Sequence, residues 1–559
     1  MDYTILIGGA AGQGIETLVF MLEKTIKRSG YNIFTYKNYM SMVRGGHNFM
    51  QIRFSDKPVY SYKTKVDMIF ALTSETIDFH LKNLKPEGVL IVDSEIDKES
   101  NFMDFEFDKI AKEIGNNKVV PVIGFGVIVN YFGLDLDLAK RSLKESLNEK
   151  ILDVNLEALV KGYKLVESDF VLQLKEDNKI LINGNQALAL GAISAGCKYY
   201  CGYPMTPSTS IMRYISSKAN QMGIVVDQIE DEVGALNMAI GASYAGVRAM
   251  TGSSGGGFAL MVEALSLAGI TETPIVVVNA QRPGPATGLS TRTEQGDLRF
   301  VIHAGHGEFP RMVITLRNPE DAFYQTSRAF NIAEKYQIPV IIMTEEYLAD
   351  YMITTEPFDI EKISIDRNLS NLDDIPEGRY KRYEYSNSGV SKRIIPGKFK
   401  DKEVLLDSHE HNEYGNIDES IETRVKMMDK RMNKFELLER EVEEPVYFGV
   451  DKPHYLLVGF GATYGALYEA VEVLNDENIA VGALVYGDIW PFPTKKIIKI
   501  GENAERIIVV EQNKTSQLGS LISEKTRLSI SDRVLKYDGR AINADEIIEE
   551  FRKKILNFK

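Results

Sequence analysis

The sequence predicts a multi-domain α/β protein, three α/β domains with one long charged connection between the second and third. Three observations predict it. The chain has 559 residues, too many for one ordinary domain. Apolar runs of strand length alternate with stretches of helical length and helical periodicity. Two polar segments, at 167–179 and 366–450, interrupt that alternation. With 44% hydrophobic and 26% charged residues, the composition is that of a soluble protein able to fill several cores.

The first domain is expected over 1–170. Residues 3–7 read as a strand, GGAAGQG as a turn and 15–29 as an amphipathic helix, with further strands at 66–71, 88–92 and 118–122. The apolar stretch 121–130 holds two glycines and reads as a buried strand or turn. The second domain, 180–365, is dense in glycine and alanine, in GNQALALGAISAG, VGALNMAIGASYAG and GSSGGGFALMVEALSLAG. Such helices give up intrinsic propensity, and close packing against a sheet, a subunit or a cofactor is the return. Strands are expected at 274–279, 312–315 and 339–343. The connector 366–450 is charged and includes a helix near 420–443; a connection this long is functional or interfacial. The last domain, 451–559, carries strands at 455–460, 480–486 and 506–511.

Charge and cysteine content exclude whole classes of function. A net charge of -14 repels nucleic acid. No apolar run approaches the roughly 20 residues needed to cross a bilayer, and the acidic start lacks the basic region of a signal peptide. The expectation is a cytoplasmic protein with neither nucleic-acid nor membrane partner. The two cysteines, Cys197 and Cys201, cannot ligate an all-cysteine iron–sulfur cluster, which needs four thiolates. Among small residues they read as core thiols in packed helices, and no metal ligand set is expected in this chain.

Gly8, Gly9, Gly12 and Gly14 follow a strand and precede a helix, a geometry that turns backbone N–H groups toward an anion. Against a dinucleotide, the second strand ends in Tyr-Lys-Asn, without the acid that would hold a ribose hydroxyl. A tight turn without ligand, another phosphorylated ligand and an interface all remain open. Downstream, Arg44 stands beside two glycines in SMVRGGHN.

The segment GYPMTPSTSI (202–211) places Thr206 between two prolines, which restrict the backbone on either side. A hydroxyl so held can donate in a set direction; a rigid turn capping the next helix through Ser208 or Thr209 explains the same residues. In QIEDEVGAL three acids, Glu230, Asp231 and Glu232, open a glycine- and alanine-rich helix, where the helix dipole favours negative charge. Arg282 follows an apolar strand, and Arg292 and Arg299 lie in the loop beyond it.

Taken in order, GGAAGQGIET, the R-G-G of SMVRGGHN, YPMTPST, EDEVGALNMAIGASYAG, TGSSGGGFALMVEAL, NAQRPGPATGLSTRTEQGDL and SHEHNEYGNIDE cover nearly the whole chain. This order resembles the α subunit of 2-oxoacid:ferredoxin oxidoreductases, the pyruvate and 2-oxoglutarate enzymes, with a γ domain fused in front. The resemblance implies a γ-type α/β domain, a thiamine-diphosphate pyrimidine-type domain and a transketolase C-terminal-like domain.

The activity implied is oxidative decarboxylation of a 2-oxoacid with coenzyme A and ferredoxin, giving acyl-CoA, CO₂ and reduced ferredoxin. Thr206 and Arg282 would bind the substrate carboxylate, an arginine fork pairing with it bidentately. Tyr203, Ser208 and Arg292 are further substrate-side candidates. Glu232 would hydrogen-bond the aminopyrimidine ring and relay the proton of thiamine C2. Gly12, Gln13, Gly14 and Arg44 would lie on the coenzyme A side. No GDG motif for Mg²⁺ and diphosphate is present, so those sites and a [4Fe-4S] cluster are expected in a β subunit. The fused layout leans toward 2-oxoglutarate or a broad range of 2-oxoacids; a pyruvate-specific enzyme, a ferredoxin-independent thiamine enzyme and a non-catalytic binding protein are the alternatives.

Overall fold

A computed structural model describes residues 1–41, 45–94, 102–168, 170 and 172–555. Its strands run in chain order as β1 (Asp2–Ala11), β2 (Asn32–Asn38), β3 (Gly45–Ser55), β4 (Val66–Ala71), β5 (Leu84–Asp93), β6 (Phe102–Phe105) and β7 (Ile180–Ile182). Then come β8 (Cys197–Gly202), β9 (Val225–Gln228), β10 (Arg248–Ser253), β11 (Ile275–Gln281), β12 (Met312–Thr315), β13 (Pro339–Glu345) and β14 (Met352–Thr355). The last are β15 (Val446–Gly449), β16 (Tyr455–Phe460), β17 (Val481–Tyr486), β18 (Asp488–Trp490), β19 (Arg506–Glu511) and β20 (Asp532–Leu535). They form three sheets in two compact units, one of Met1–Ile182 with Asp350–Pro357 and Asn543–Glu546, the other of the remainder.

In the first unit the strand order is β6-β5-β4-β1-β3-β2-β14-β7. Two of these strands, β7 and β14, come from chain beyond residue 170. Strand β3 lies between β1 and β2 and is antiparallel to both. The helix Ile15–Arg28 therefore does not link two adjacent parallel strands, the unit on which a dinucleotide site is built. The apolar stretch read as a strand or turn is instead the helix Val120–Tyr131, opened by Pro121 near its start. The strand expected at 118–122 is likewise the start of this helix. Its glycines explain the misreading: a Cβ on Gly124 would collide with Phe70, and one on Gly126 with the backbone of Leu159. Close burial on every side outweighs the propensity that glycine costs, about 1 kcal/mol.

The second unit contains two sheets that share one apolar core. The order β18-β12-β13-β11-β10-β8-β9 is parallel except for the edge strand β18. The order β15-β17-β16-β19-β20 is parallel except for β15. Val277 and Ile341 of the first pack in one cluster with Val458, Leu484 and Val509 of the second. Parallel strands buried on both faces read as continuous apolar runs, which is why these strands are plain in the sequence.

The connector belongs to this unit and carries much of its buried charge. Its helix Ile421–Glu441, capped by Ser420, sends Lys430 and Lys434 to the buried carboxylate of Glu272 at 2.7 and 2.5 Å. Burial opposes ionisation of Glu272, but the two ammonium groups override it and hold the carboxyl well below its ordinary value. Glu334 takes Arg248, Arg367 and Arg393 in the same way. In the SHEHNEYG segment His411 is buried against Tyr383, and Glu410 pairs with Arg424 and Arg431. Cys197 and Cys201 are buried, but on β8 and not in packed helices; burial pushes the Cys197 thiol up to about 12.

Candidate active site

Ligands of parallel α/β sheets bind beyond the carboxyl ends of the strands, and the predicted residues of the second domain gather there. After β8 the chain turns through 203–208 into the helix Thr209–Met222. Thr206 is half-buried, and its carbonyl accepts a hydrogen bond from Arg282 Nη1 at 2.8 Å. Arg282 follows β11 directly, half-buried, and burial lowers its guanidinium from the ordinary value without discharging it at any working pH. Thr206 and Arg282, 76 residues apart, are thus joined.

The three acids separate cleanly. Glu230 is exposed. Asp231 is the N-cap of the helix Glu232–Tyr244, accepting from the Gly234 N–H at 2.7 Å. Glu232 is 3% exposed, and its carboxylate accepts from Ser253 Oγ at 3.0 Å. Its neighbour is the glycine triplet that opens the helix Gly255–Ile270, where a Cβ on Gly257 would strike both Glu232 and Ser253. A Cβ on Gly255 would strike Asp297. Two carboxyl groups therefore flank the triplet, and only glycine leaves room between them.

Asp297, in the QGDL stretch, was given no role by the sequence reading. Its carboxyl is raised by burial, partly offset by Asn279, and Oδ2 is buried without a hydrogen-bond partner. Asn279, fully buried in β11, also lacks a hydrogen bond of good geometry. The signal for both is their place beside catalytic candidates: Asn279 three residues before Arg282, Asp297 closing the loop that Arg282 opens.

Tyr203 and Ser208 lie in the same turn as Thr206. Tyr203 is 40% exposed. Ser208 is buried at the N-cap position but does not cap the helix; its hydroxyl donates to the Met205 carbonyl at 2.8 Å. It locks the turn and presents no hydroxyl outward. Arg292 lies in the loop after Arg282, its guanidinium 3.4 Å from the Thr291 carbonyl. Arg299 is paired with Glu524 at 2.7 Å in a part-exposed ion pair.

In the first unit, Gly12 and Gly14 both have positive φ, 94° and 82°, and Gly14 is the N-cap of the helix Ile15–Arg28. They border a cavity of about 400 Å³ lined also by Glu16, Lys37, Tyr39 and Asn48. Lys37 pairs with Glu16 at 2.6 Å. Gln13 braces the turn, accepting from the Ala10 N–H at 2.7 Å. Arg44 lies outside the described residues. Among the described residues no group of three or more metal-ligating side chains is found, and no helix is long and apolar enough to cross a membrane.

Comparison with known proteins bears on the domains. Residues 190–430 match the family described as pyruvate flavodoxin/ferredoxin oxidoreductase, thiamine diphosphate-binding. Residues 4–165 match pyruvate ferredoxin/flavodoxin oxidoreductase, and 454–547 match pyruvate:ferredoxin oxidoreductase core domain II. A 2-oxoacid:ferredoxin oxidoreductase subunit alpha from Sulfolobus sp is 31% identical over 99% of this chain and 97% of its own length. The 2-oxoglutarate synthase subunit KorA of Methanothermobacter thermautotrophicus is 32% identical over 62% of this chain and 90% of its own. A solved structure, the 2-oxoglutarate:ferredoxin oxidoreductase from Magnetococcus marinus with 2-oxoglutarate, coenzyme A and succinyl-CoA bound, superposes with TM-score 0.91, 28% identity and 99% coverage of both chains. With a buried acid and a clamped arginine at the carboxyl edge of its thiamine-type sheet, the chain belongs to the α/γ-subunit family of the 2-oxoacid:ferredoxin oxidoreductases.

Proposed function

We propose that this chain is the α-type subunit, with its γ-type part at 1–170, of a cytoplasmic enzyme that oxidises 2-oxoglutarate or a broad range of 2-oxoacids. The observation that carries the reading is the pairing of buried Glu232 with the glycine triplet, and of Arg282 with Thr206, at one strand edge. These residues fit the pyrimidine half of thiamine diphosphate. Glu232 has accepting capacity left beyond Ser253, Asp297 Oδ2 and the Asn279 amide are buried without a hydrogen bond of good geometry, and the glycines leave room for both carboxyl groups at the helix start.

Bound thiamine diphosphate supplies a nucleophilic carbon and an electron sink for decarboxylation. Glu232 accepts and returns the proton at the aminopyrimidine nitrogen, and its burial keeps water from competing for that position. Arg282, braced by the Thr206 carbonyl, pairs with the substrate carboxylate, and the Thr206 hydroxyl donates beside it. A [4Fe-4S] cluster, expected in the partner chain, would accept the two electrons left by the loss of CO₂ singly and would hand them to ferredoxin. Coenzyme A takes the acyl group.

Mg²⁺, the diphosphate site and the cluster are assigned to a separate β subunit. Exposed Val233, Met238 and Leu260, on helices apolar all round beside Glu232, support a partner covering this face. The substrate preference rests on the 2-oxoglutarate named for two of the similar proteins. Arg292, in the same loop as Arg282, is assigned to the second carboxylate.

The test is turnover of the complex co-expressed with its β chain, using pyruvate, 2-oxoglutarate and a branched 2-oxoacid in parallel. The expected result is CoA-dependent ferredoxin reduction with the highest kcat/KM on 2-oxoglutarate. Turnover of pyruvate alone overturns the substrate assignment, and ferredoxin reduction from the α chain by itself overturns the division between subunits.

A further inference from the structure

The loop from Arg282 to Gly296 leaves the sheet at β11 and returns to it at once. Gln281 closes its base, accepting from the Asp297 N–H at 3.0 Å. One stem is fixed by Arg282 on the Thr206 carbonyl. The other stem, Thr293 to Gln295, is fixed by a group outside every motif: Glu345, the last residue of β13 and the register neighbour of Gln281.

Glu345 is 2% exposed. Its Oε1 accepts from Gln295 Nε2 at 3.0 Å and from the Ala462 N–H at 3.1 Å. Its Oε2 accepts from Thr293 Oγ1 at 3.2 Å and from Gln512 Nε2 at 2.7 Å. The donors come from the loop and from the two turns that follow β16 and β19 in the third sheet. The same turns hold Gln295 directly: the Gln295 N–H donates to the Gln512 carbonyl at 2.8 Å, and the Gln512 N–H to Gln295 Oε1 at 3.1 Å. Only an ionised carboxylate, with acceptor sites on both oxygens and no donor, satisfies all four groups. Burial pushes this carboxyl up, to about 7, against those donors.

These bonds tie the second stem of the loop to the third sheet, and the position of that loop sets where its arginines stand. We propose that Glu345 is a positioning residue for the 2-oxoacid, fixing the arginine loop to the third sheet so that Arg282 and Arg292 meet the substrate carboxylates. The proposal rests on the reading of Arg282 and Arg292 as substrate-side residues.

The test uses the assembled enzyme. Glu345→Gln sets an amide N–H against a donor, and should raise the 2-oxoacid KM by about tenfold or more with kcat and the CoA KM little changed. The milder Thr293→Val, which removes one donor, should raise it by about threefold. The exchange Glu345→Gln with Gln512→Glu restores a donor–acceptor match, because the new amide donates to the new carboxylate, and should bring KM back toward wild type. Equal changes in both KM values, or lowered stability with no change in either, overturn the proposal. A wild-type complex that reduces ferredoxin with no 2-oxoacid overturns the functional reading instead.

Discussion

Two strand-to-helix turns in this molecule are built from glycine, and they differ in what the glycines make room for. At the N-terminus, Gly12 and Gly14 adopt positive φ, and a Cβ on Gly12 would meet nothing within 4 Å. At Gly255–Gly257 the φ values are ordinary, and a Cβ on Gly255 or Gly257 would strike Asp297 or Glu232. The first set of glycines shapes a backbone beside an open cavity of about 400 Å³. The second lets two buried carboxyl groups approach a helix start. A glycine-rich turn is thus ambiguous in sequence, and the distinction between a turn beside open space and one packed against buried carboxyl groups lies in what surrounds it.

The sharpest way to break the comparison is at Glu232. Glu232→Gln keeps the shape but weakens the proton relay, a contribution of about a hundredfold to ten-thousandfold. Hydrogen–deuterium exchange at thiamine C2 in the assembled complex, read by NMR after acid quench, should slow by at least about a hundredfold. Glu230→Gln and Asp231→Asn should exchange at the native rate, since one side chain is exposed and the other retains a capping amide oxygen. Native exchange in Glu232→Gln would place the acid elsewhere and leave the triplet as packing alone.

Substrate anchoring gives a smaller effect. Charge-assisted hydrogen bonds are worth about 1.5–3 kcal/mol, so Arg282→Ala should lower kcat/KM by roughly tenfold to a hundredfold with cofactor retained. Arg299→Ala, which breaks a part-exposed pair with Glu524, should change it by less than about threefold. If Arg292→Ala carries the larger loss and Arg282→Ala none, the carboxylate sits further along the loop.

How much of this was legible follows from the physics of each element. The strands of the two parallel sheets read clearly because burial on both faces leaves unbroken apolar runs, as at Met312–Thr315 and Arg506–Glu511. Helix Val120–Tyr131 did not, because its glycines answer to Phe70 and Leu159, partners far away in sequence. The shared core of the second and third sheets was hidden for the same reason, and so were Asn279, Asp297 and Glu345, whose roles depend on four or five segments meeting. Glu232 stood out only through the resemblance; among three adjacent acids, burial sets it apart, and burial is not written in EDE. The Ser208 hydroxyl bonds within its own turn, an arrangement that local sequence cannot separate from outward display.

The smallest effect tests the other turn. Gly12 holds a φ of 94°, and an L-residue there is strained by about 1–2 kcal/mol although the space around it is open. Gly12→Ala should therefore fold, shift the loop and disturb whatever approaches the cavity, while the second unit is untouched. On the coenzyme A assignment, the CoA KM should rise by about threefold to tenfold and the 2-oxoacid KM should stay within twofold, roughly the limit of assay comparison. Steady-state titrations of each substrate at saturating levels of the other provide the measurement. Gly257→Ala makes the opposite contrast: there the backbone tolerates alanine and the space does not, so kcat should fall by about tenfold or more as Glu232 is displaced. An unchanged CoA KM in Gly12→Ala removes the loop from the coenzyme A path, and leaves its positive φ values as the geometry of a turn.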